Sequence, residues 1–402
     1  MSVVATPATF AVNAPTPSQT YEIASMARFA VEDLVATVVR TGASDLHIKS
    51  GSPPILRVNG ELSRLEGYDK LLGEDVLGLL YQMLQDAVRL ERLHRTGAVD
   101  FAYESEQGVR LRVNAFQERG KFSIACRPIP EVIRGFADLN LPPVLEQIAD
   151  EERGLILVTG TTGSGKSTTL AAMLDWINER KPKHIVTIED PVEFTHRDKQ
   201  AAMAQREVGH DTPSFHEALR YVLRQDPDVI LIGEMRDEET VRTALTAAQT
   251  GHLVLSTLHT LDAPETVNRI IDFFEPHVQS QVRSMLAGTL RAIISQRLVP
   301  TADGRSRVPA CEILRDSARV QAMLLNPQEL ANLHDAIADG SYYGMQTFDQ
   351  ALLHFVQTGQ VALEDALPLS SRPHDFRLLV DSGGERAGSL AHVDYFEGGN
   401  RA

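Results

Sequence analysis

The sequence predicts an α/β protein in two parts: a small N-terminal α+β domain, then a larger domain on a parallel sheet with a helical C-terminal part. Three observations predict it. Up to residue 130, short alternating strands separated by turn glycines mix with helical stretches. From 154 to 259, short apolar strands alternate with helical segments, the pattern of a parallel sheet covered on both faces. From Pro264 to the 360s the chain reads as mostly helical.

The expected order is an N-terminal arm over 1–20, an α+β domain over 21–133, a linker over 134–140, the larger domain over 141–378 and a disordered tail over 379–402. The arm "MSVVATPATFAVNAPTPSQT" is rich in Ala, Pro, Thr and Ser and lacks a basic start, so it reads as flexible and not as a signal peptide. "ASMARFAVEDLVATVVRTG" has helical apolar spacing and a stop at Gly42. "SDLHI" and "PILRVNGEL" read as strands with a hairpin turn at Asn59-Gly60. "EDVLGLLYQMLQDAVRLERLHRTG" reads as one helix, and "VDFAYES", "VRLRVNAFQ" and "KFSIACRPI" as three strands. Beyond the linker, "GLILVTG", "HIVTIED", "DVILIGE" and "HLVLSTLH" are strands, with helices after the first and at "SFHEALRYVLRQ" and "EETVRTALTAAQTG".

"LILVTGTTGSGKSTTL" holds G-x(4)-G-K-[ST] between an apolar strand and a helix, the context a phosphate-binding loop requires. Gly160, Thr161, Thr162, Gly163, Ser164 and Gly165 turn their amides inward, and Lys166, Ser167 and Thr168 open the helix. Lys166 is expected on the β- and γ-phosphates of ATP, and Ser167 on Mg²⁺. "DVILIGEMRD" resembles the strand that carries the metal-facing acid in such proteins, with Gly233 where many have aspartate; Glu234 then acts on the metal's water shell or on the attacking water. "IVTIEDPVEF" places Glu189, Asp190 and Glu193 at a third strand end. Ligands bind beyond the carboxyl ends of parallel strands, so these acids face Mg²⁺ and γ-phosphate, and one of them activates water. The sequence does not choose among the three. "TGHLVLSTLHT" adds His259 at a strand end, where it can report the γ-phosphate, and His252 at the strand's start.

Composition narrows the class. A formal charge of −15 and 6% aromatic residues argue against a nucleic-acid motor, which needs a basic groove and stacking rings. Two cysteines, Cys126 and Cys311, form no metal spacing and no disulfide framework, so a reducing cytosol is expected. No apolar run approaches the ~18 residues of a membrane span.

Taken together, "ASDLHI", "RVNAF", "GTTGSGKSTT", "TIEDPVEF", "LRQDPDVILIGEMRD", "TGHLVLSTLHT" and "GMQTFDQAL" resemble the PilT-like ATPases of type IV pilus systems, within the secretion ATPase superfamily. The resemblance implies a PAS-like N-terminal domain followed by a RecA-like P-loop ATPase domain. It implies ATP hydrolysis with Mg²⁺, held by Ser167, Glu234 and Glu189 directly or through water. It favours Glu193 as the water-activating base. It also implies a homohexamer in which Arg112 and Arg127 reach nucleotide at an interface, a nucleotide contact from His252, an inner-membrane platform protein as partner, and a paralogous pilus ATPase beside it. The resulting expectation is a cytoplasmic ring ATPase, peripheral at the inner membrane, that powers pilus retraction. The lack of a long N-terminal extension and of a four-cysteine zinc site points to retraction. "SARVQAMLLNPQELANL" departs from a signature found in retraction motors, which leaves an accessory pilus ATPase and a type II secretion ATPase as alternatives.

Overall fold

A computed structural model of the chain describes residues 23–24, 28–58, 60–130 and 132–383. The expected N-terminal arm and the tail from 384 onward lie outside the described residues. The chain divides into two compact units at Glu131/Val132.

In the first unit, helix α1 (Val31–Thr41) ends where Gly42 turns left-handed, at φ 63°, and returns its amide to Val38 and Val39. Strands β1 (Asp45–Lys49), β2 (Ile55–Val58) and β3 (Glu61–Arg64) form a meander. The stretch expected as one helix is two, α2 (Gly73–Met83) and α3 (Ala87–Thr96). Asp86 breaks it by capping the second helix, accepting the amides of Val88 and Arg89. Strands β4 (Ala98–Glu104), β5 (Arg110–Glu118) and β6 (Lys121–Pro128) complete a six-stranded sheet in the order β3-β2-β1-β6-β5-β4, antiparallel throughout. Alternate strand residues such as Leu46, Ile48, Val113 and Ile124 share one core with Leu34, Val38 and Leu79 of the helices. The other strand face is left outward.

The second unit carries a seven-stranded sheet in the order β13-β12-β7-β11-β10-β8-β9. Its centre is β7 (Gly154–Thr159), β11 (Leu253–Leu258), β10 (Val229–Ile232) and β8 (His184–Glu189), all parallel. Every residue of β7, β10 and β11 is buried, because helices cover both faces. A short helix α4 (Val144–Ala149) precedes β7. Helix α5 (Lys166–Arg180) packs on one side, and α6 (Phe215–Val222), α7 (Glu238–Gln249) and α8 (Ala263–Asp272) on the other.

Three strands depart from the expectation. β9 (Ala202–Glu207) adds a parallel edge beside β8. The region expected as mostly helical contributes β12 (Leu290–Pro300), parallel to β7, and β13 (Arg307–Arg315), antiparallel to β12. Both are apolar enough to be buried on two faces, and that removes the alternation by which a strand is recognised. The rest of the region is helical: α9 (Gln279–Thr289), α10 (Ala318–Leu325), α11 (Leu333–Ala338), α12 (Phe348–Gln357), α13 (Leu363–Ala366) and α14 (Pro373–Asp381). α14 runs past 379, where the tail was expected to begin.

Candidate nucleotide site

The carboxyl ends of β7, β8, β10 and β11 open into one cleft of about 500 Å³. Lys166, Ser167, Glu189, Glu193, Glu234 and His259 all line it.

The phosphate-type loop owes its shape to glycine. At Gly160, with φ 139°, a Cβ would lie 2.5 Å from the Gln296 carbonyl and 2.6 Å from Ser164 Oγ, so a side chain does not fit. Gly163 and Gly165 also take positive φ, 80° and 95°, and α5 starts directly afterwards. Its first-turn amides therefore face the cleft, a ready site for an anion. Ser164 Oγ is buried without a partner among the described residues. Lys166 Nζ donates to the carbonyls of Gly160 (2.8 Å) and Thr161 (3.0 Å). Burial lowers its pKa, and the negative charges of Glu234 and Glu193 oppose that shift.

Glu189 is anchored. Thr187 Oγ1 donates to its Oε1 at 2.6 Å and Gln205 Nε2 at 3.2 Å. Burial raises its pKa above the usual carboxylate range, against the pull of those two donors. Gln205 also donates to the Phe194 carbonyl (2.9 Å) and accepts the His196 amide (2.7 Å), so β9 holds the acidic loop in place.

Glu234 sits between two bases. Arg236 Nε meets its Oε2 at 2.7 Å, and His259 Nε2 stands 3.4 Å from its Oε1. Arg236 also lies 3.9 Å from Asp190. At Gly233, where many such strands carry aspartate, a Cβ would be 3.2 Å from the Ile188 carbonyl, a tight contact.

The structure thus gathers the 160–168 loop, Glu189, Glu193, Glu234 and His259. It does not bring His252 to them. β11 begins at Leu253 with its carboxyl end at the cleft, so His252 lies about 20 Å away at the opposite edge of the sheet. There its Nδ1 is 3.0 Å from the Ala247 carbonyl. Arg112 and Arg127 lie in the first unit and face each other across β5 and β6. Arg127 pairs with Asp45 at 2.8 Å. Arg236, Gln205, Thr187 and Arg307 also belong to the site or its support and were not assigned from sequence. Arg236 was legible, two residues after Glu234. Gln205 left no local signal, because its role depends on the pairing of β9 with β8.

The chain and its fold are similar to known proteins. A family profile described as "Type II/IV secretion system protein" matches residues 20–343. The chain is 43% identical over 346 residues to a Pseudomonas aeruginosa protein described as the type IV pilus retraction ATPase PilT, covering 86% of this chain and 99% of that one. It is 39% identical over 357 residues to the type IV pilus ATPase PilU of the same organism, covering 88% and 92%. The crystal structure of a pilus retraction motor PilT with bound ADP superposes with a TM-score of 0.80 at 42% identity, covering 87% of this chain and 99% of that one. With a nucleotide cleft built as described and a family match over most of its length, the chain belongs to the type II/IV secretion system protein family and is a PilT-like ATPase.

Proposed function

We propose that this ATPase retracts a type IV pilus, working as a Mg²⁺-dependent homohexamer at the cytoplasmic face of the inner membrane, against a platform protein embedded there. The supporting observation is the 43% identity that runs along 99% of the PilT of P. aeruginosa. Among the described residues no helix is long and apolar enough to cross a membrane.

The residues of the cleft fit nucleotide and Mg²⁺. The loop is a cradle for phosphates, and the donors beside it are oxygens: the Ser167 hydroxyl and the carboxylates of Glu189 and Glu234. Mg²⁺ takes one or two protein ligands and completes its shell with phosphate and water, which fits these oxygen donors. Bound with ATP, the ion would neutralise charge on the phosphates. Lys166 exchanges its two carbonyl partners for phosphate oxygens. Glu193, on the acidic loop, takes the proton of the attacking water, while Glu189 stays fixed by Thr187 and Gln205. Glu234 orients water and ion, held by Arg236. His259 bonds the γ-phosphate and registers its loss. Arg112 and Arg127 complete the site of a neighbouring subunit.

A second reading, an accessory pilus ATPase, draws on α10. Its "ARVQAMLL" departs from the retraction signature and leaves Leu325 half exposed. A deletion strain separates the two. Persistent pili without twitching support retraction, missing pili mean assembly, and near-normal twitching means an accessory role.

A further inference from the structure

His259 ends the strand side of a short segment whose far side is the first turn of α8. Most bonds that shape this segment are local. Asp262 caps the helix by accepting the Glu265 amide, Glu265 reaches back to the Leu261 amide at 2.8 Å, and Thr260 bonds Thr266 at 2.7 Å. One bond comes from 49 positions away. Glu312 of β13 accepts the Ala263 amide on its Oε1 at 3.0 Å.

Glu312 is 1% exposed, and a buried carboxylate needs compensation. His334 of α11 stands 3.6 Å from its other oxygen, and the positive charge of Arg297 on β12 also acts in this cluster. Arg297 in turn lies 3.8 Å over the Phe348 ring and donates to the Leu369 carbonyl. One carboxylate therefore joins the start of α8 to a cluster reaching α11 and α12.

We propose that Glu312 is a positioning residue for hydrolysis: its bond to Ala263 fixes the first turn of α8 and, through it, the placement of His259 beside Glu234. The inference rests on the reading that His259 works in the cleft. Glu312 touches no reacting atom, so it acts on the hydrolytic step and leaves the phosphate loop alone.

The test is steady-state ATP hydrolysis by the full chain with Mg²⁺, comparing Glu312→Gln, Glu312→Asp, His259→Gln and the double change Glu312→Gln with His259→Gln. Glu312→Asp keeps the charge and withdraws the carboxylate from Ala263 by one methylene, and it serves equally if Glu312→Gln does not fold. Each Glu312 variant should lower kcat about tenfold, with KM for ATP within about twofold of the native value. The double variant should be no slower than His259→Gln alone. Native kcat in both Glu312 variants beside an impaired His259→Gln would overturn the inference, as would losses that multiply in the double variant. Native kcat in His259→Gln itself would sink the reading of the cleft and the inference with it.

Discussion

The two sheets of this molecule meet water in opposite ways. In the first unit β5 alternates buried and open residues, and the open face carries a row set by the register: Arg57 on β2, Asp45 on β1, Arg127 on β6 and Arg112 on β5. Asp45 meets Arg127 at 2.8 Å and Arg57 at 3.8 Å, so a single carboxylate is shared by two guanidinium groups. In the second unit the central strands β7, β10 and β11 are buried throughout and uncharged, so the charges beside them stand at their ends. A sheet with one bare face offers a surface. A sheet covered on both faces offers only its rim, where loops can converge on a ligand. Chemistry is therefore expected at the rim of the second sheet, with recognition on the face of the first.

The sharpest way to break this division is Lys166→Ala. Removing the charge on the phosphates should cut hydrolysis by at least about 10³-fold and weaken ATP binding. Native phosphate release would mean that the rim is not the site. Next is Arg127→Ala, which should bind ATP and hydrolyse it about 10³-fold more slowly if the bare face supplies an arginine to a neighbour. Mixing it with Lys166→Ala should then restore part of the activity in assembled rings, verified by size-exclusion chromatography. Rings that assemble without recovery would confine the arginine to its own chain. Glu193→Gln should keep nucleotide and lose about 10²-fold in turnover. If Glu189→Gln is the inactive variant and Glu193→Gln is nearly native, the anchored acid is the base.

The smallest effect is on stability. Glu312, first by its hydrogen bond and then by its charge, raises the pKa of His334, which Asp349 and Asp335 also favour. The folded state thus holds the proton more tightly, and the pair's contribution is complete below about pH 6.5 and lost as pH climbs through the raised value. His334 is 45% exposed, so His334→Gln should cost under about 1 kcal/mol in acid, a Tm shift below roughly 4 °C, and nothing above pH 9. A deficit that persists unchanged at pH 9 would show that the side chain matters for packing and not for charge.

Much of this was readable in the residues, for physical reasons that differ by element. The central strands announce themselves as short apolar runs because both faces are covered, and Gly160 and Gly165 mark a turn that only glycine can make. β12 and β13 were missed because they are buried on both faces and so lack strand alternation, and because they sit among helices, where periodicity cannot separate strand from buried helix. β9 was missed for the opposite reason, since "AMAQRE" at a sheet edge needs little apolar surface. His252 was read at the start of β11 and lies there, a strand's length from His259.

Gly233 has a mechanical consequence. Its amide donates to the Ile188 carbonyl at 2.8 Å, and its missing side chain lets the end of β10 lie against Glu189, whose Cα would stand 3.4 Å from any Cβ there. The ends of β8 and β10 therefore lie backbone to backbone at Ile188, Glu189 and Gly233, so Glu189 and Glu234 stand on adjoining strand ends joined by that bond. Compliance is left to the exposed side chains at the cleft, Asp190, Glu193, Arg236 and His259. At such a site the response to hydrolysis is expected first in those side chains, while the paired strand ends beneath the two acids stay in place.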